Sequence, residues 1–377
     1  MPEKYVLEQY KHLPLGAKVT MTKNRIREWY SYWNGDVYVS YSGGKDSTVL
    51  AHLVREMYSD IPLVFVNTGL EFPEIQSFAK KMGAIFVRPK MSFSEVISRY
   101  GYPLISKENA NVIEYARTIK NGSRTGKTGT KSDNGEYKDW RRKSLIGSEG
   151  FGKGSWFCKE KYFPLAQDTS FMISAKCCDV MKKKPMKDYQ KENGSVPFLG
   201  TMTEESKIRE RAWMKNGCNA FDAKVKTSQP MSFWTEQDVL QYISENKIEI
   251  ASVYGDILAC DENGDFYDPM PGMKCNLKCT GCQRTGCVFC CYGVHLEKGE
   301  TRFQQLAKTH PRQYEYCMRG GQWVDNPKYD PVAPIYDGKW KNWNPKKIWV
   351  PSREGLGMKK VFDDINAIYG KDFIRYE

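Results

Sequence analysis

The stretch Asp36-Val37-Tyr38-Val39-Ser40-Tyr41-Ser42-Gly43-Gly44-Lys45-Asp46-Ser47 decides the fold of this chain. Its first half is short, β-branched and aromatic, a pattern that predicts a buried strand. After the glycines, apolar residues from Val49 to Met57 recur at the spacing of one helix face. A strand, a glycine loop and a helix in this order form a phosphate-binding design, because the first N–H groups of the helix point at the anion.

The loop itself supplies chemistry that suits an anionic ligand. Two glycines let the backbone approach the anion, Lys45 neutralises charge, and Asp46 caps the helix or helps to hold Mg²⁺. The spacing differs from that of a Walker A loop, which excludes a P-loop of the GTPase kind. The residues that we expect to contact phosphate are Ser42, Gly43, Gly44, Lys45, Asp46 and Ser47.

Strands and helices continue to alternate after the loop. Ile61 to Val66 reads as a second strand that leads to Asn67-Thr68-Gly69, Pro73 to Met82 as a helix, and Ala84 to Val87 as a third strand. This order predicts an α/β fold with a doubly wound parallel sheet. Thr68 and Gly69 then fall at a carboxyl end of the sheet, where such folds bind ligands.

The rest of the chain divides by composition. We expect a helical lead-in over 1–35, a nucleotide-binding domain over 36–250 with a mobile basic insertion at 118–154, and a cysteine- and aromatic-rich region over 251–377. Further helices are predicted at 19–32, 232–245, 298–310 (ended by Pro311) and 358–369.

Charge and hydropathy narrow the class of protein. The chain of 377 residues has 57 Lys and Arg against 45 Asp and Glu, which gives a formal net charge of +12. This charge is compatible with a DNA or RNA partner or a phosphorylated substrate, and equally with a surface whose lysines simply contact water. No apolar run approaches the ~18 residues of a membrane span, and Met1 to Tyr5 shows no signal-peptide pattern. We expect a cytoplasmic protein without a membrane partner.

Six of the twelve cysteines lie between Cys275 and Cys291. In a reducing compartment such a cluster favours metal ligation or thiol chemistry over a disulfide scaffold. Zinc is one alternative, with ligands drawn from Cys275, Cys279, Cys282, Cys287 and Cys290.

The phosphate-binding loop resembles the PP-loop of the N-type ATP pyrophosphatases and the PAPS/APS reductases. Val64 to Glu74 is similar to the second-strand motif of PAPS reductases, and Gly200 to Ser206 with Arg209 resembles their segment that carries an arginine near the nucleotide. The resemblance extends over residues 30–300. It implies an adenine nucleotide α-hydrolase-like fold that binds ATP, APS or PAPS at Ser42–Ser47, Thr68, Gly69 and Arg209, with Lys45 and Asp46 as catalytic residues.

The resemblance also gives the cysteines a second interpretation. Cys177-Cys178 resembles the paired cysteines of APS reductases, which bind a [4Fe–4S] cluster together with a later Cys-x-x-Cys, here Cys287 and Cys290. The terminal Glu-Cys-Gly-Leu-His motif with which reductases attack the sulfonucleotide has no counterpart in this chain. Cys317 is the substitute nucleophile, unless it is simply a packed thiol.

Three functions remain open from the sequence. The first is ATP-dependent adenylation coupled to sulfur insertion, with nucleic acid as a candidate acceptor and a cysteine desulfurase as a candidate partner. The second is reduction of APS or PAPS to sulfite with a thioredoxin-like donor. The third is a nucleic-acid-binding protein that kept the nucleotide pocket and lost catalysis.

Overall fold

The computed structural model describes residues 4–117, 119–120, 123–124, 144–145, 153–154, 158–166, 171–270, 273, 275–333 and 346–377. Most of the basic insertion that the sequence predicts at 118–154 lies outside these residues. Within it, Ile119–Lys120 and Ser123–Arg124 pair as a short antiparallel ladder.

The secondary structure alternates between strands and helices through the first hundred residues. The strands are β1 (Val37–Tyr41), β2 (Leu63–Val66), β3 (Ile85–Val87), β4 (Leu104–Ile105), β5 (Ile119–Lys120), β6 (Ser123–Arg124), β7 (Val196–Leu199), β8 (Ile257–Cys260), β9 (Asn276–Cys279), β10 (Cys291–Tyr292), β11 (Gln322–Asp325) and β12 (Lys347–Val350). The helices are α1 (Lys4–Lys11), α2 (Leu15–Tyr32), α3 (Lys45–Met57), α4 (Pro73–Lys81), α5 (Phe93–Tyr100), α6 (Lys107–Arg117), α7 (Phe163–Ala166), α8 (Lys176–Cys178), α9 (Lys184–Asn193), α10 (Lys207–Asn216), α11 (Glu236–Glu245), α12 (Arg302–Thr309), α13 (Pro311–Met318) and α14 (Met358–Tyr369).

The chain forms two compact units, and each is built from two separate stretches. The first unit contains residues 1–89 and 183–287, and the second contains 90–182 and 288–377. These bounds differ from the division that composition suggests. One reason is the pairing of β10 with β4, in which Cys291 lies opposite Leu104, because it joins two segments of the second unit that are far apart in the sequence.

A four-stranded parallel sheet forms the centre of the first unit, in the order β3-β2-β1-β7. This sheet and its flanking helices confirm the α/β class. The sheet neighbours of β1 are β2 on one side and β7 on the other, so the strand order reverses at β1. In parallel sheets the crevice beside such a reversal, at the carboxyl ends of the strands, is where ligands bind.

The predicted helical lead-in is part of this first unit. Leu7, Ile26 and Trp29 are fully buried in the same core as β1 and α3. A buried ion pair between Lys18 Nζ and Asp238 Oδ2, 2.5 Å apart, joins α2 to α11. Since both charges are withdrawn from water, removing either partner alone would leave a costly unpaired charge.

Local sequence signals explain where several elements begin. Helix α11 begins at Glu236 and not at residue 232, because Thr235 and Asp238 form a capping box there. Pro311 does not only end α12: it is the first residue of α13, a position where its missing N–H costs nothing. The predicted helix at 358–369 has those bounds in the structure.

The second unit consists of helices and two-stranded ladders. Helices α5 and α12 begin at capping boxes formed by Ser92 and Thr301. Strands β11 and β12 pair antiparallel, with Val324 opposite Ile348. Among the residues that the structure describes in either unit, no helix has the length and apolar character needed to span a membrane.

Candidate functional site

The glycine loop occupies the turn between β1 and α3 in the first unit. Gly43 has φ +72°, and a Cβ there would lie 2.8 Å from Ile75 Cγ2, so both backbone conformation and space require glycine. Gly44 is the N-cap of α3. The first N–H groups of α3 therefore open onto the space beside the carboxyl end of β1.

Side-chain hydrogen bonds hold the loop in shape. The hydroxyls of Ser42 and Ser47 lie 3.0 Å apart, and Ser47 Oγ donates to the carbonyl oxygen of Gly44 at 2.9 Å. Thr48 Oγ1 donates to the same carbonyl at 3.0 Å. The two serines are thus positioned at the two ends of one small turn, as the sequence pattern suggests.

Lys45 is buried at the start of α3, with 5% of its surface exposed. Its Nζ lies 3.1 Å from Glu236 Oε1 and 3.8 Å from Cys279 Sγ, and it lies 5.4 Å from the centre of the Tyr254 ring. The ammonium group is therefore held by one carboxylate, one thiol and one aromatic face.

Asp46, the next residue, is partly buried and surrounded by charges of both signs. Burial raises the pKa of its carboxyl group and Glu236 raises it further, whereas Lys45, Arg284 and Arg209 oppose the rise. Burial lowers the pKa of Arg209, and Arg284 lowers it further. Two guanidinium groups thus act on the same carboxylate.

These residues surround a cavity of about 120 Å³. Of the predicted phosphate ligands, Ser42, Gly44, Lys45 and Asp46 line it. Met202, Glu204 and Glu205 also line it, and they lie in the segment Gly200–Ser206 that the resemblance placed near the nucleotide. Sequence reasoning missed the remaining lining residues, which are Glu236, Tyr254, Gln283, Arg284 and Thr285. The volume is below the ~300–1,000 Å³ that is usual for a whole small-molecule site.

Thr68, Gly69 and Arg209 do not line this cavity. Thr68 follows β2, its hydroxyl donates to Glu71 Oε1 at 2.7 Å, and its backbone N–H donates to Glu71 Oε2 at 3.0 Å. Gly69 has φ +76° and donates its N–H to Asn67 Oδ1 at 3.0 Å. Arg209 on α10 forms an ion pair with Glu205. The binding roles of these three residues remain predictions.

The cysteine-rich segment contributes to the cavity in an unexpected way. Its part from Cys279 to Thr285 belongs to the first unit and lies beside the phosphate-binding loop, where Tyr254 Oη is 2.5 Å from Thr285 Oγ1 and accepts the Lys45 N–H at 3.4 Å. Gly255 and Gly281 permit this approach, since a Cβ at Gly281 would lie 2.4 Å from the carbonyl oxygen of Val253. The sequence analysis considered only the cysteines of this segment, whereas its glycines are what allow the close approach.

All twelve cysteines lie in the described residues and none forms a disulfide. In the second unit, burial raises the pKa of the Cys290 thiol, Arg302 lowers it and Cys178 raises it. Cys287 belongs to the first unit. Within the described residues, no three His, Cys, Asp or Glu side chains are grouped so as to hold a metal ion. The four predicted cluster ligands therefore remain predictions.

Cys317 lies in α13 of the second unit and is fully buried. Burial raises the pKa of its thiol well above the ordinary range. Since the thiolate is the nucleophilic form, this environment suits a packed side chain better than a thiol that attacks a substrate.

Comparisons with known proteins place these observations in a family context. The phosphoadenosine phosphosulfate reductase domain matches residues 36–118 and 158–292, more than half of the chain. A sulfate adenylyltransferase subunit 2 from Shewanella sediminis is 26% identical over 240 residues, 57% of this chain and 58% of that protein. An uncharacterized protein from Methanocaldococcus jannaschii is 31% identical over 86 residues, 21% of each chain.

Among solved structures, phosphoadenylyl-sulfate (PAPS) reductase from Candida auris, in a phosphate complex, aligns with 67% of this chain and 91% of that chain. The sequence identity is 13% and the TM-score is 0.33. The chain thus spans less than two thirds of the length of the two curated relatives named above.

Proposed function

Because the chain belongs to the phosphoadenosine phosphosulfate reductase domain family, we propose that it binds ATP at the cavity beside Ser42–Ser47 and adenylates an acceptor for sulfur insertion. The family and the sulfate adenylyltransferase relatives support sulfur-related nucleotide chemistry. The observation that carries the proposal is the phosphate-binding loop at the reversal of strand order, with a buried lysine at the start of α3.

The reaction breaks one bond and forms one. An oxygen of the acceptor attacks the α-phosphorus of ATP, the bond from this phosphorus to the oxygen bridging to the β-phosphate breaks, and pyrophosphate leaves with the electron pair. Negative charge grows on the leaving group. The Lys45 ammonium and the N–H groups at the start of α3 are placed to stabilise that charge.

Mg²⁺ accompanies ATP in this proposal and would lower the charge of its phosphates. Asp46 and Glu236 supply carboxylate oxygens beside the cavity. The described residues do not assemble a group of three ligands, so no step of the reaction is assigned to a protein-bound ion.

Reduction of APS or PAPS is the second candidate, and the family match favours it. It needs an accessible thiol that attacks the sulfur atom. Cys317 is fully buried. Cys279, whose thiol contacts Lys45, has 1% of its surface exposed. These two thiols are therefore poor candidates for that nucleophile, whereas Cys282 in the segment beside the cavity is only half-buried.

The proposal includes an iron–sulfur centre. The described side chains do not form a complete set of ligands for it. Cys177, Cys178 and Cys290 belong to the second unit, and among the described residues no three His, Cys, Asp or Glu side chains form a metal-binding group. Iron and acid-labile sulfide analysis of anaerobically purified protein tests the cluster, with zinc content as the test of the alternative.

The acceptor and the partners extend the proposal further. The net charge of +12 and the basic segment 118–154 suit a nucleic-acid acceptor, and twelve free cysteines suit a reducing cytoplasm. A cysteine desulfurase would supply sulfur, whereas a thioredoxin-like donor belongs to the reductase alternative. Deleting 118–154 should weaken DNA or RNA binding and leave ATP binding unchanged; unaltered nucleic-acid affinity would remove this acceptor class.

The experiment that tests the proposed reaction follows the fate of the phosphates. ATP labelled in the α-phosphate is incubated with the protein and candidate acceptors, and AMP, the adenylated acceptor and pyrophosphate are measured. We expect pyrophosphate release that Lys45→Ala abolishes and that Lys80→Ala, a change at an exposed lysine of α4, leaves intact. Release of ADP and phosphate, or sulfite formed from APS or PAPS, would contradict adenylation.

A further inference from the structure

The segment Cys279–Thr285 is held firmly against the turn Ser252–Asp256 within the first unit. The N–H groups of Thr280, Gly281 and Cys282 donate to the carbonyl oxygens of Asp256, Tyr254 and Val253 at 2.8, 2.9 and 2.9 Å. Gln283 Nε2 donates to the carbonyl oxygens of Cys279 at 2.6 Å and Gly281 at 3.0 Å. Three backbone hydrogen bonds and the Gln283 side chain thus fix the segment in place.

Tyr254 connects this segment to the phosphate-binding loop. Its hydroxyl lies 2.5 Å from Thr285 Oγ1 and accepts the Lys45 N–H at 3.4 Å. Arg284 stands immediately before Thr285, and both residues line the cavity together with Ser42 and Lys45. The hydrogen bonds of Tyr254 therefore set the position of Arg284 relative to the start of α3.

Arg284 differs from Lys45 and Arg209 in forming no ion pair within the described residues, although the Asp46 carboxylate is near enough to feel its charge. Lys45 is paired with Glu236, and Arg209 is paired with Glu205. Arg284 forms no ion pair with any residue in the described part of the chain, and its side chain is exposed. A guanidinium group without a carboxylate partner at the wall of a phosphate cavity is available to bind an anion from solution.

The lining of the cavity indicates what class of ligand it takes. Lys45, Arg284 and Gly44, the N-cap of α3, all line it. Positive side chains and the first N–H groups of a helix together favour an anionic group.

We propose that Arg284 binds the anionic group attached to the α-phosphate of an adenine nucleotide, so that the site selects nucleotides with at least two consecutive anionic groups. This inference rests on the proposed function, namely that the cavity receives an adenine nucleotide. The group is a phosphoryl group in ATP and a sulfuryl group in APS. AMP lacks this second anionic group, so Arg284 does not contribute to its affinity.

Calorimetric titrations with ATP, APS and AMP, each with Mg²⁺, test this assignment. We expect Arg284→Gln to weaken the binding of the ligand that carries the second anion by about tenfold or more and that of AMP by less than twofold, since one charge-assisted contact is lost. Arg284→Lys should restore part of the affinity. Arg27→Gln, at an exposed arginine of α2, should change none of the affinities.

The outcomes separate this inference from the proposed function. A loss of affinity for ATP alone would mean that Arg284 binds a phosphoryl group, and a loss of affinity for APS alone would mean that it binds a sulfuryl group. Equal losses for all three ligands, or no loss, would overturn the role of Arg284 while leaving nucleotide binding intact. If the unaltered protein bound none of the three, both the inference and the proposed function would fall.

Discussion

The ammonium group of Lys45 lies 3.1 Å from Glu236 Oε1, and this ion pair joins the phosphate-binding loop to the start of α11. Lys45 is almost fully buried, whereas the Glu236 side chain is 38% exposed. The carboxylate therefore neutralises the lysine from the solvent side of the cavity. A phosphate group bound as we propose would compete with Glu236 for the same ammonium.

Replacing this carboxylate should strengthen nucleotide binding. In Glu236→Gln, one negative charge beside the phosphates is removed and Lys45 is released, so we expect the Kd for ATP without Mg²⁺ to fall about fivefold, or about 1 kcal/mol. Glu245→Gln, at the exposed end of the same helix, is the control. A weaker affinity in Glu236→Gln would show that the carboxylate assists binding.

The hydroxyl of Tyr254 should contribute to stability. Tyr254→Phe removes a buried oxygen that accepts the Lys45 N–H and pairs with Thr285, a loss of about 1 kcal/mol. We expect the Tm in a thermal scan to decrease by about 2–4 °C. Tyr32→Phe, at a tyrosine that is 57% exposed, should leave the Tm unchanged, and an equal Tm in both variants would contradict the role of the hydroxyl.

Asp46 should make stability depend on pH. Burial is the main reason why the pKa of Asp46 in the folded protein lies above its ordinary value of 3.8. At a pH between 3.8 and this raised pKa, the folded protein binds more protons than the unfolded chain. The free energy of unfolding of the wild-type protein therefore decreases as pH rises through this window, and the decrease is complete at neutral pH. Asp46→Asn removes the titration.

Urea unfolding of Asp46→Asn and of the wild type, repeated from pH 4 to pH 7, measures this effect. The variant should gain stability relative to the wild type as pH rises, although it changes a residue that lines the cavity. Asp60→Asn, at an exposed aspartate, should show a constant difference. A gain that shrinks with rising pH would mean that Asp46 is stabilised as a carboxylate.

Alkylation of the native protein should distinguish buried from accessible thiols. Cys317 is fully buried with a raised pKa, while Cys275 is partly exposed. Because iodoacetamide reacts with the thiolate, Cys275 should be labelled well before Cys317 in mass-spectrometric peptide maps. Rapid labelling of Cys317 would reopen its assignment as a nucleophile and with it the reductase alternative.

The elements that carry a strong local pattern could be predicted from the sequence. The run Val37–Tyr41, the glycine loop and the apolar face of α3 follow one another directly, and the structure has them as predicted. Strand β7 was missed, because Val196–Leu199 contains a proline and its place beside β1 depends on pairing with a segment about 160 residues earlier. Pairing between strands that are so far apart in the chain produces no periodic pattern in the sequence.

The site shows the same limit. Ser42, Lys45 and Asp46 lie in one short motif, and their place in the cavity could be predicted. Glu236, Tyr254 and Arg284 reach it from three other parts of the chain, through contacts such as the backbone approach of Gly281 to Val253. The contact of the Cys279 thiol with the Lys45 ammonium, at 3.8 Å, likewise joins distant segments, and cysteine spacing could not predict it.

The most direct test of the central claim is a calorimetric titration of anaerobically purified protein with ATP, APS and PAPS, each with Mg²⁺. The account predicts saturable one-site binding of ATP, tighter than that of either sulfonucleotide and greatly weakened in Lys45→Ala. Preference for APS or PAPS would contradict adenylation and favour the reductase alternative, and absence of binding by all three would contradict a nucleotide site at Ser42–Ser47.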